Sequence, residues 1–497
     1  MNKHILIIGS GLGGLVCGYI LSRNGYRVTL LEKNRQIGGC LQTFSRHGIK
    51  FETGMHYIGS LEEGQTLHKF FTYLSLFSDV SFRSLDERAY DIISIDGKQF
   101  PFAKGEEPFV EQLAQSFPHQ REELKQYMRI IQQVANDSPL YSFRYSQSMA
   151  LLNPQYVKSS VGDIIDSTVS DPLLRQVLAG NLPLYAGIKE KTPFYIHALI
   201  THFYNNSAYR IVGGSGEIAR SLAKSIRDMG GAVYTNREVT KIHCDAQRAV
   251  SVETSDGERI EADYFFTNIH PMRTLELLDT RLIRSSYRER ISGLQNTVSN
   301  FTVYIQFKKG TVPYLNSNLF HYNEPTVWGG EDYNDKNWPK SYLYMHLTPQ
   351  NNDGYADAAI LIGYMKFADV EQWAGTSIGK RGADYEEFKQ RKAERMLQEL
   401  EKLQPGIRSH ILRYHTSSPL TYFDYTGTQE GSMYGILRDC TDPIRSIVSQ
   451  RTKIPNLYQT GQNINTHGIL GVIIGAIIAS GELVGTETVM DQIIRAQ

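Results

Sequence analysis

One stretch near the start constrains this chain more than anything after it. His4 to Ile8 is a short apolar run, Gly9-Ser10-Gly11-Leu12-Gly13-Gly14 follows without a gap, and Leu15 to Asn24 carries helical periodicity closed by Gly25. The order reads as strand, tight turn, helix. Arg27 to Leu31 is a second strand-like run and delivers Glu32 at its carboxyl end. A unit of this kind commits the chain to a parallel sheet with helices on its faces, the α/β class. Gly9, Gly11 and Gly14 make a GxGxxG turn, which suits a dinucleotide pyrophosphate: the backbone approaches closely and helix amides point at the anion. Glu32 stands where its carboxylate accepts hydrogen bonds from ribose hydroxyls.

The unit alone suits NAD or FAD. Gly38-Gly39, just beyond the second strand, supplies more backbone amides near the phosphates and favours FAD, which runs extended through its domain. Near the other end of the chain, Gly468 to Val472 opens an apolar helix. Its N-terminal amides, aimed at the flavin N1 and C2 carbonyl, would stabilise the anion formed on reduction.

Composition narrows the partners. The chain has 497 residues, which at about 150 per domain predicts two or more domains. Its 52 Lys and Arg cancel 52 Asp and Glu, so no net field draws a polyanion and nucleic acid is not expected as a partner. Hydrophobic content of 41% and mean hydropathy of -0.34 fit a soluble globular protein. Cys17, Cys40, Cys244 and Cys440 form no CxxC pair, and the N-terminus lacks a positive n-region, so a reducing cytoplasm is the expected location. The longest apolar run, Ile469 to Ala479, is too short for the ~20 residues of a spanning helix. The histidines show no metal-ligand spacing, and no metal is expected.

Residues 62–204 hold helix-like stretches at Pro108 to Phe117 and Arg121 to Val134 and read as a helical insertion. From Tyr209 the α/β punctuation returns: Gly213-Gly214-Ser215-Gly216, a helix over Glu217 to Met229, and strands at Ala232 to Tyr234, Val239 to His243, Val250 to Thr254 and Arg259 to Ala262. Phe301 to Phe307, Tyr342 to Leu347 and Ala359 to Phe367 predict strands of a second sheet, and Tyr385 to Leu403 an amphipathic helix.

Several of these stretches resemble the retinol saturase and carotenoid isomerase branch of the phytoene desaturase-like flavoproteins. They are Gly9 to Gly14, Leu31-Glu32-Lys33, Gly38-Gly39-Cys40 and, above all, Phe51-Glu52-Thr53-Gly54-Met55-His56-Tyr57-Ile58-Gly59. Gly230-Gly231-Ala232-Val233, Ser418-Pro419-Leu420-Thr421 and Thr460-Gly461-Gln462 follow in the order that family shows. The resemblance implies a Rossmann-type FAD-binding domain over 1–61, 205–275 and 441–497. A discontinuous mixed α+β substrate or lid domain, of the amine oxidase and phytoene desaturase type, would occupy 62–204 and 276–440. It implies non-covalent FAD held at the phosphates by Gly9, Gly11, Leu12, Gly13 and Gly14 with Gly38, Gly39 and Cys40. Glu32 and Lys33 would hold the ribose, and the backbone of Val239 the adenine. Gly54, His56, Gly461, Gln462 and the turn Gly468, Leu470, Gly471 and Val472 would embrace the ribityl chain and ring. Two departures stand out: many desaturases have Gly-Gly-Arg where this chain has Gly38-Gly39-Cys40, and an acid where it has Gln462.

The implied activity is an FAD-dependent oxidoreductase acting on carbon-carbon double bonds of a long apolar substrate, a polyene, retinoid or carotenoid, delivered through an apolar tunnel. Saturation is the leading reaction; redox-neutral cis-trans isomerisation with reduced FAD, and desaturation, are the alternatives. Saturation needs a hydride on one carbon and a proton on the other. His56, Tyr57, Tyr209 and His467 are the candidate proton donors, since their motifs are expected near the ring. Gly213 to Gly216 is not followed by an acid-tipped strand at the right distance, so no dedicated NAD(P)H domain is expected. Electrons would come from a visiting NAD(P)H, another reductase or the substrate. An apolar substrate also suggests peripheral membrane contact, through the aromatic-rich insertion 62–204.

Overall fold

The computed structural model describes residues 3–143, 153–349, 351 and 353–497. Five parallel strands form the first sheet, in the order Ala232–Tyr234, Arg27–Leu31, His4–Ile8, Tyr264–Thr267, Leu457–Gln459. Side chains alternate across it. Ile5 and Ile7 pack among Leu15 and Val16 of helix Leu12–Arg23, Leu222 of helix Gly216–Asp228, and Ile473 and Ala476 of helix Gly468–Val484. Leu6 and Ile8 face the opposite way, against Val239, Ile242 and Val252 of an antiparallel meander over Val239–Cys244, Ala249–Thr254 and Arg259–Glu261. Both faces are covered, so the central strand is apolar throughout rather than alternating with polar residues. The order places His4–Ile8 between strands reached in opposite directions, which opens a crevice at its carboxyl end.

A second sheet has seven strands in the order Ile411–Ser417, Ser299–Phe307, Ala358–Met365, Ser341–His346, Asn318–Tyr322, Asp91–Ile95, Lys98–Phe102. One face packs against helices Arg121–Asn136, Val161–Thr168 and Phe194–Asn206. The other packs against helix Ala383–Leu403 through Phe388, Met396 and Leu400.

Two expectations change here. The insertion 62–204 is not wholly helical: it contains strands Phe82–Ser84, Asp91–Ile95 and Lys98–Phe102, the last two joined at Asp96-Gly97 with positive φ at both residues. That dipeptide favours a two-residue hairpin and was the available signal. The lobes also divide differently. Leu67, Phe70, Phe71 and Leu76 lie in the core of the first lobe, as do Leu278, Ile283 and Ile291 on its meander side. Segments 66–80 and 278–294 therefore pack with the parallel sheet, although 62–204 and 276–440 suggested the substrate lobe. An amphipathic pattern shows that one face is buried but not against which neighbour.

Among the described residues, no single helix is long and apolar enough to cross a membrane. Phe77 is the large apolar side chain exposed in the described part of the insertion; residues 144–152 of that stretch lie outside the described residues. Most of its aromatics are buried against the second sheet and the first lobe.

Candidate functional site

A cavity of about 570 Å³ lies between the lobes, within the range of small-molecule sites. The carboxyl ends of the parallel strands supply Ile8, Leu31, Glu32, Asn268 and Thr460, and the second sheet supplies Ser341 to Leu343 and Ile362 to Tyr364.

The glycine turn closes by contact. A Cβ on Gly11 would stand 2.8 Å from Asn268 Nδ2, and one on Gly14 would stand 2.2 Å from the Gly9 carbonyl oxygen. Gly14 therefore lets the helix lie against the strand and is not in the cavity wall. Asn268, which donates from Nδ2 to Gly9 O at 3.3 Å, fills the space between this turn and Gly461. Its strand, Tyr264–Thr267, is absent from the sequence-based expectations; the aromatic run Tyr264-Phe265-Phe266 was the signal.

Ser10, an unspecified position of the GxGxxG pattern, ties the two glycine turns together. Its Oγ donates to Glu32 Oε2 at 2.5 Å and accepts from the Gly38 N–H at 3.2 Å. Its N–H donates to the same Glu32 oxygen at 3.0 Å, and Asn34 N–H donates to the other at 2.9 Å. Glu32 is thus a buried carboxylate held by donors at the mouth of the second strand.

Two helices begin at this cavity without side-chain caps. Helix Leu12–Arg23 starts after Gly11 and helix Gly468–Val484 after His467, and neither receives a capping side-chain hydrogen bond. First-turn amides of a helix need partners, and here both sets open on one space lined by Gly11, Leu12, Gly13, Gly468, Ile469 and Val472. That arrangement fits a ligand with an anionic centre at each helix: a pyrophosphate at one, a reducible flavin ring at the other.

Most other expected contacts line the same space. Gly9, Lys33, Gly38, Gly39, Cys40, Gly54, His56, Tyr57, Val239, Gly461 and Gln462 are in the wall. Leu470 and Gly471 are not: with His467 they border a smaller apolar cavity of about 90 Å³ that shares Leu184, Tyr204, Gly468 and Ile469 with the large one. A Cβ on Gly471 would meet Thr466 Oγ1 at 2.2 Å, so this glycine serves a close approach within the protein.

The four candidate proton donors separate. His56 and Tyr57 line the large cavity. His56 Nδ1 lies 3.7 Å from Glu52 Oε2. Tyr209 is outside it, because successive strand residues face opposite ways: Arg210 turns inward to Asn318, while Tyr209 faces Glu62. His467 packs at a tilt against Tyr434, 4.5 Å between ring centroids. Burial lowers its pKa to about 4, which makes it neutral at pH 7 and a poor acid. Tyr204, Tyr364, Tyr422 and Tyr434 also stand in the wall and were not singled out from the sequence. Tyr364 Oη is buried without a hydrogen-bond partner among the described residues.

Residues 12–484 match the flavin containing amine oxidoreductase family. The chain belongs to that family. It is accordingly an FAD-dependent oxidoreductase, and the uncapped helices and Glu32 are the features that fit the cofactor. The chain is 27% identical over 96% of its length, and 85% of the relative's, to all-trans-retinol 13,14-reductase of Rattus norvegicus. It is 24% identical to 4,4'-diaponeurosporene oxygenase of Staphylococcus aureus over 94% of this chain and 95% of that one. Among solved structures, an oxidoreductase from Methanosarcina mazei shares the fold with a TM-score of 0.65 at 16% identity, covering 96% of this chain and 99% of that one.

Glu32→Ala should weaken FAD binding by about 1–3 kcal/mol, the scale for losing charge-assisted hydrogen bonds. Titration of apoprotein by flavin fluorescence measures it. Wild-type affinity in the variant would show that Glu32 serves only Ser10 and Asn34.

Proposed function

We propose that this protein reduces a carbon-carbon double bond of a long apolar polyene. The observation that carries the reading is one continuous space: the cavity that begins at Glu32 and the glycine turns ends at a wall of Tyr57, Tyr204, Leu343, Ile362, Tyr364 and Tyr434. Relatives named for retinol and for diaponeurosporene support a polyene as the ligand of that wall. Bound FAD would supply the two electrons as a hydride equivalent. The residues of the chain do the rest. Buried aromatic and aliphatic side chains exclude water from the reacting carbons, which strengthens the pull of the helix amides on developing charge. Of the proton donors expected from the sequence, His56 and Tyr57 line this cavity, whereas His467 borders the smaller one and burial lowers its pKa to about 4.

The electron source is proposed to be NAD(P)H entering the same cavity. The second glycine run does not hold a dinucleotide: Ser215 N–H donates to Glu52 Oε1 at 3.2 Å, and Ser215 Oγ to Leu41 O at 3.1 Å, which seats it inside the first lobe. Anaerobic mixing with NADH or NADPH should bleach the flavin; failure of both, with rapid photoreduction, would assign the role to a protein donor.

Anaerobic photoreduced protein mixed with all-trans-retinol and a panel of carotenoids tests the reaction. One double bond should be lost per flavin reoxidised. A rearranged product with the flavin still reduced would make the protein an isomerase. Gln462 bears on the direction of chemistry, because it lines the cavity where related desaturases carry an acid. Gln462→Glu should lower the flavin midpoint potential by adding a negative charge beside the electron acceptor. A potential that stays equal or rises would remove that argument for a reductase.

A further inference from the structure

Tyr57 belongs to the cavity wall and also to a polar chain behind it. Its Oη donates to Asp91 Oδ2 at 3.0 Å. Asp91 is 1% exposed and lies outside the wall. The other carboxylate oxygen, Oδ1, accepts from Asn318 Nδ2 at 2.9 Å, and Asn318 Oδ1 accepts from Arg210 Nη2 at 2.8 Å. Arg210 Nη2 also donates to Ser317 O at 3.1 Å. Asp91 and Asn318 stand opposite one another on paired parallel strands, which holds this spacing.

The chain of bonds has a direction. A guanidinium has donors only, so the Asn318 atom that faces it must be the oxygen, and the NH2 must face Asp91. Asp91 Oδ1 is therefore always an acceptor. A proton on Asp91 has one place left, Oδ2, which faces Tyr57. The Tyr204 ring packs on Tyr57 at 4.3 Å between centroids.

We propose that Tyr57 is the proton donor to the substrate carbon and that Asp91 is the positioning residue that decides where the Tyr57 hydrogen points. With Asp91 protonated, its Oδ2–H donates to Tyr57 Oη, and the tyrosine hydrogen is free for the cavity. With Asp91 ionised, the tyrosine hydrogen is held on Oδ2. The inference rests on double-bond reduction as the reaction. Reduced FAD, when bound, would supply the hydride equivalent for one C–H bond. The π pair takes the Tyr57 hydrogen for the second as the O–H bond breaks. The tyrosinate then takes the Oδ2 proton, and solvent reprotonates Asp91 before the next turnover.

The titratable and charged neighbours agree with this assignment. Burial raises Asp91 to about 7, opposed by its hydrogen bonds to Asn318 and Tyr57 and by the charge of Arg210. Tyr90 and Tyr204 also face it, and burial raises both, like Tyr57, far above the ordinary phenol value. None of the three tyrosines loses its proton near neutrality, so the carboxyl is the group that changes. Asp91 is protonated below about 7, and the protonation step should slow as pH rises through that point.

Single-turnover reoxidation of reduced holoenzyme by all-trans-retinol, followed on both sides of neutrality, should show this fall. Tyr57→Phe should lower the rate by about 100-fold or more. Asp91→Asn should lose the pH dependence of the step, because its amide donates to Tyr57 at every pH while its carbonyl accepts from Asn318. A second readout needs no substrate: infrared difference spectra of the oxidised protein should show a carboxylic acid C=O band that titrates near neutrality, vanishes in Asp91→Asn and shifts in Tyr57→Phe. Absence of that band overturns the proposal, as does a Tyr57→Phe rate near wild type or a His56→Gln variant that alone loses the rate. If the band titrates as expected but no polyene reoxidises the flavin, the reduction reading fails, and the donor role of Tyr57 falls with it.

Discussion

Gly11→Val protein should purify folded and without flavin, and should not be reconstituted by added FAD. Gly11 has φ -60°, a conformation any residue adopts, so the substitution tests contact rather than backbone strain. Its Cα lies 3.1 Å from where a Gly39 Cβ would stand, and its own Cβ would stand 2.8 Å from Asn268 Nδ2. Gly11 also forms a parallel bridge with Gly38. Valine's methyl groups would press on Asn268 and distort the turn whose Leu12 and Gly13 amides would hold the pyrophosphate. Losing two or three charge-assisted hydrogen bonds costs about 4 kcal/mol or more, roughly a thousandfold in affinity. The ratio of flavin to protein absorbance after purification, with circular dichroism to show folding, checks it. A yellow Gly11→Val protein would place the cofactor elsewhere. Gly14→Val should instead prevent folding, because its Cβ would meet a backbone oxygen of the same turn.

Arg438→Met should destabilise the apoprotein by about 3–5 kcal/mol, the scale for stranding the partners of a buried charged group. Arg438 is buried and donates to the carbonyls of Ser446, Asn463, Ile464 and Asn465, at 3.0, 3.1 and 2.7 Å for the last three. The last three carbonyls belong to the loop that carries Gly461 and Gln462 and leads into Gly468 at the helix start, while Ser446 ends the helix Pro443–Ser446. The variant should therefore also bind FAD less tightly, by loosening the loop around the ring. Arg438→Lys should recover little, since one ammonium cannot span four carbonyls as a planar fork does. Urea unfolding of apoprotein measures the first effect and flavin titration the second. A wild-type unfolding midpoint in Arg438→Met would show that the loop holds its shape without the guanidinium.

The cofactor end of the site was legible in the sequence because it is built from backbone. A turn that must admit a phosphate needs glycine at Gly9 and Gly11, and a helix must follow at once, so spacing alone identified it. Lys33, Cys40, Gly461 and Gln462 came from the resemblance, and the cavity takes them in. Leu470, Gly471 and Tyr209 were harder. A few residues' difference in helix phase or strand parity turns a side chain from a cavity to the packing behind it.

Local periodicity marks the strands His4–Ile8, Arg27–Leu31 and Ala232–Tyr234 of the parallel sheet, three strands of the second sheet and the glycine turns. Which residues meet across those elements is a different kind of fact. Asp91 stands 34 residues from Tyr57, and Asn318 is 227 from Asp91. Neither pair has a local spacing that a sequence can display. Asn268 faces Gly11 and Gly461 only because three parallel strands end at one crevice. Contacts of this kind depend on strand order and register, which long-range packing decides by burying both faces of each sheet. The sequence alone determined that the chain offers glycine turns and helix amides to a dinucleotide. Only the tertiary structure decided that Tyr57 has a buried carboxyl group behind it.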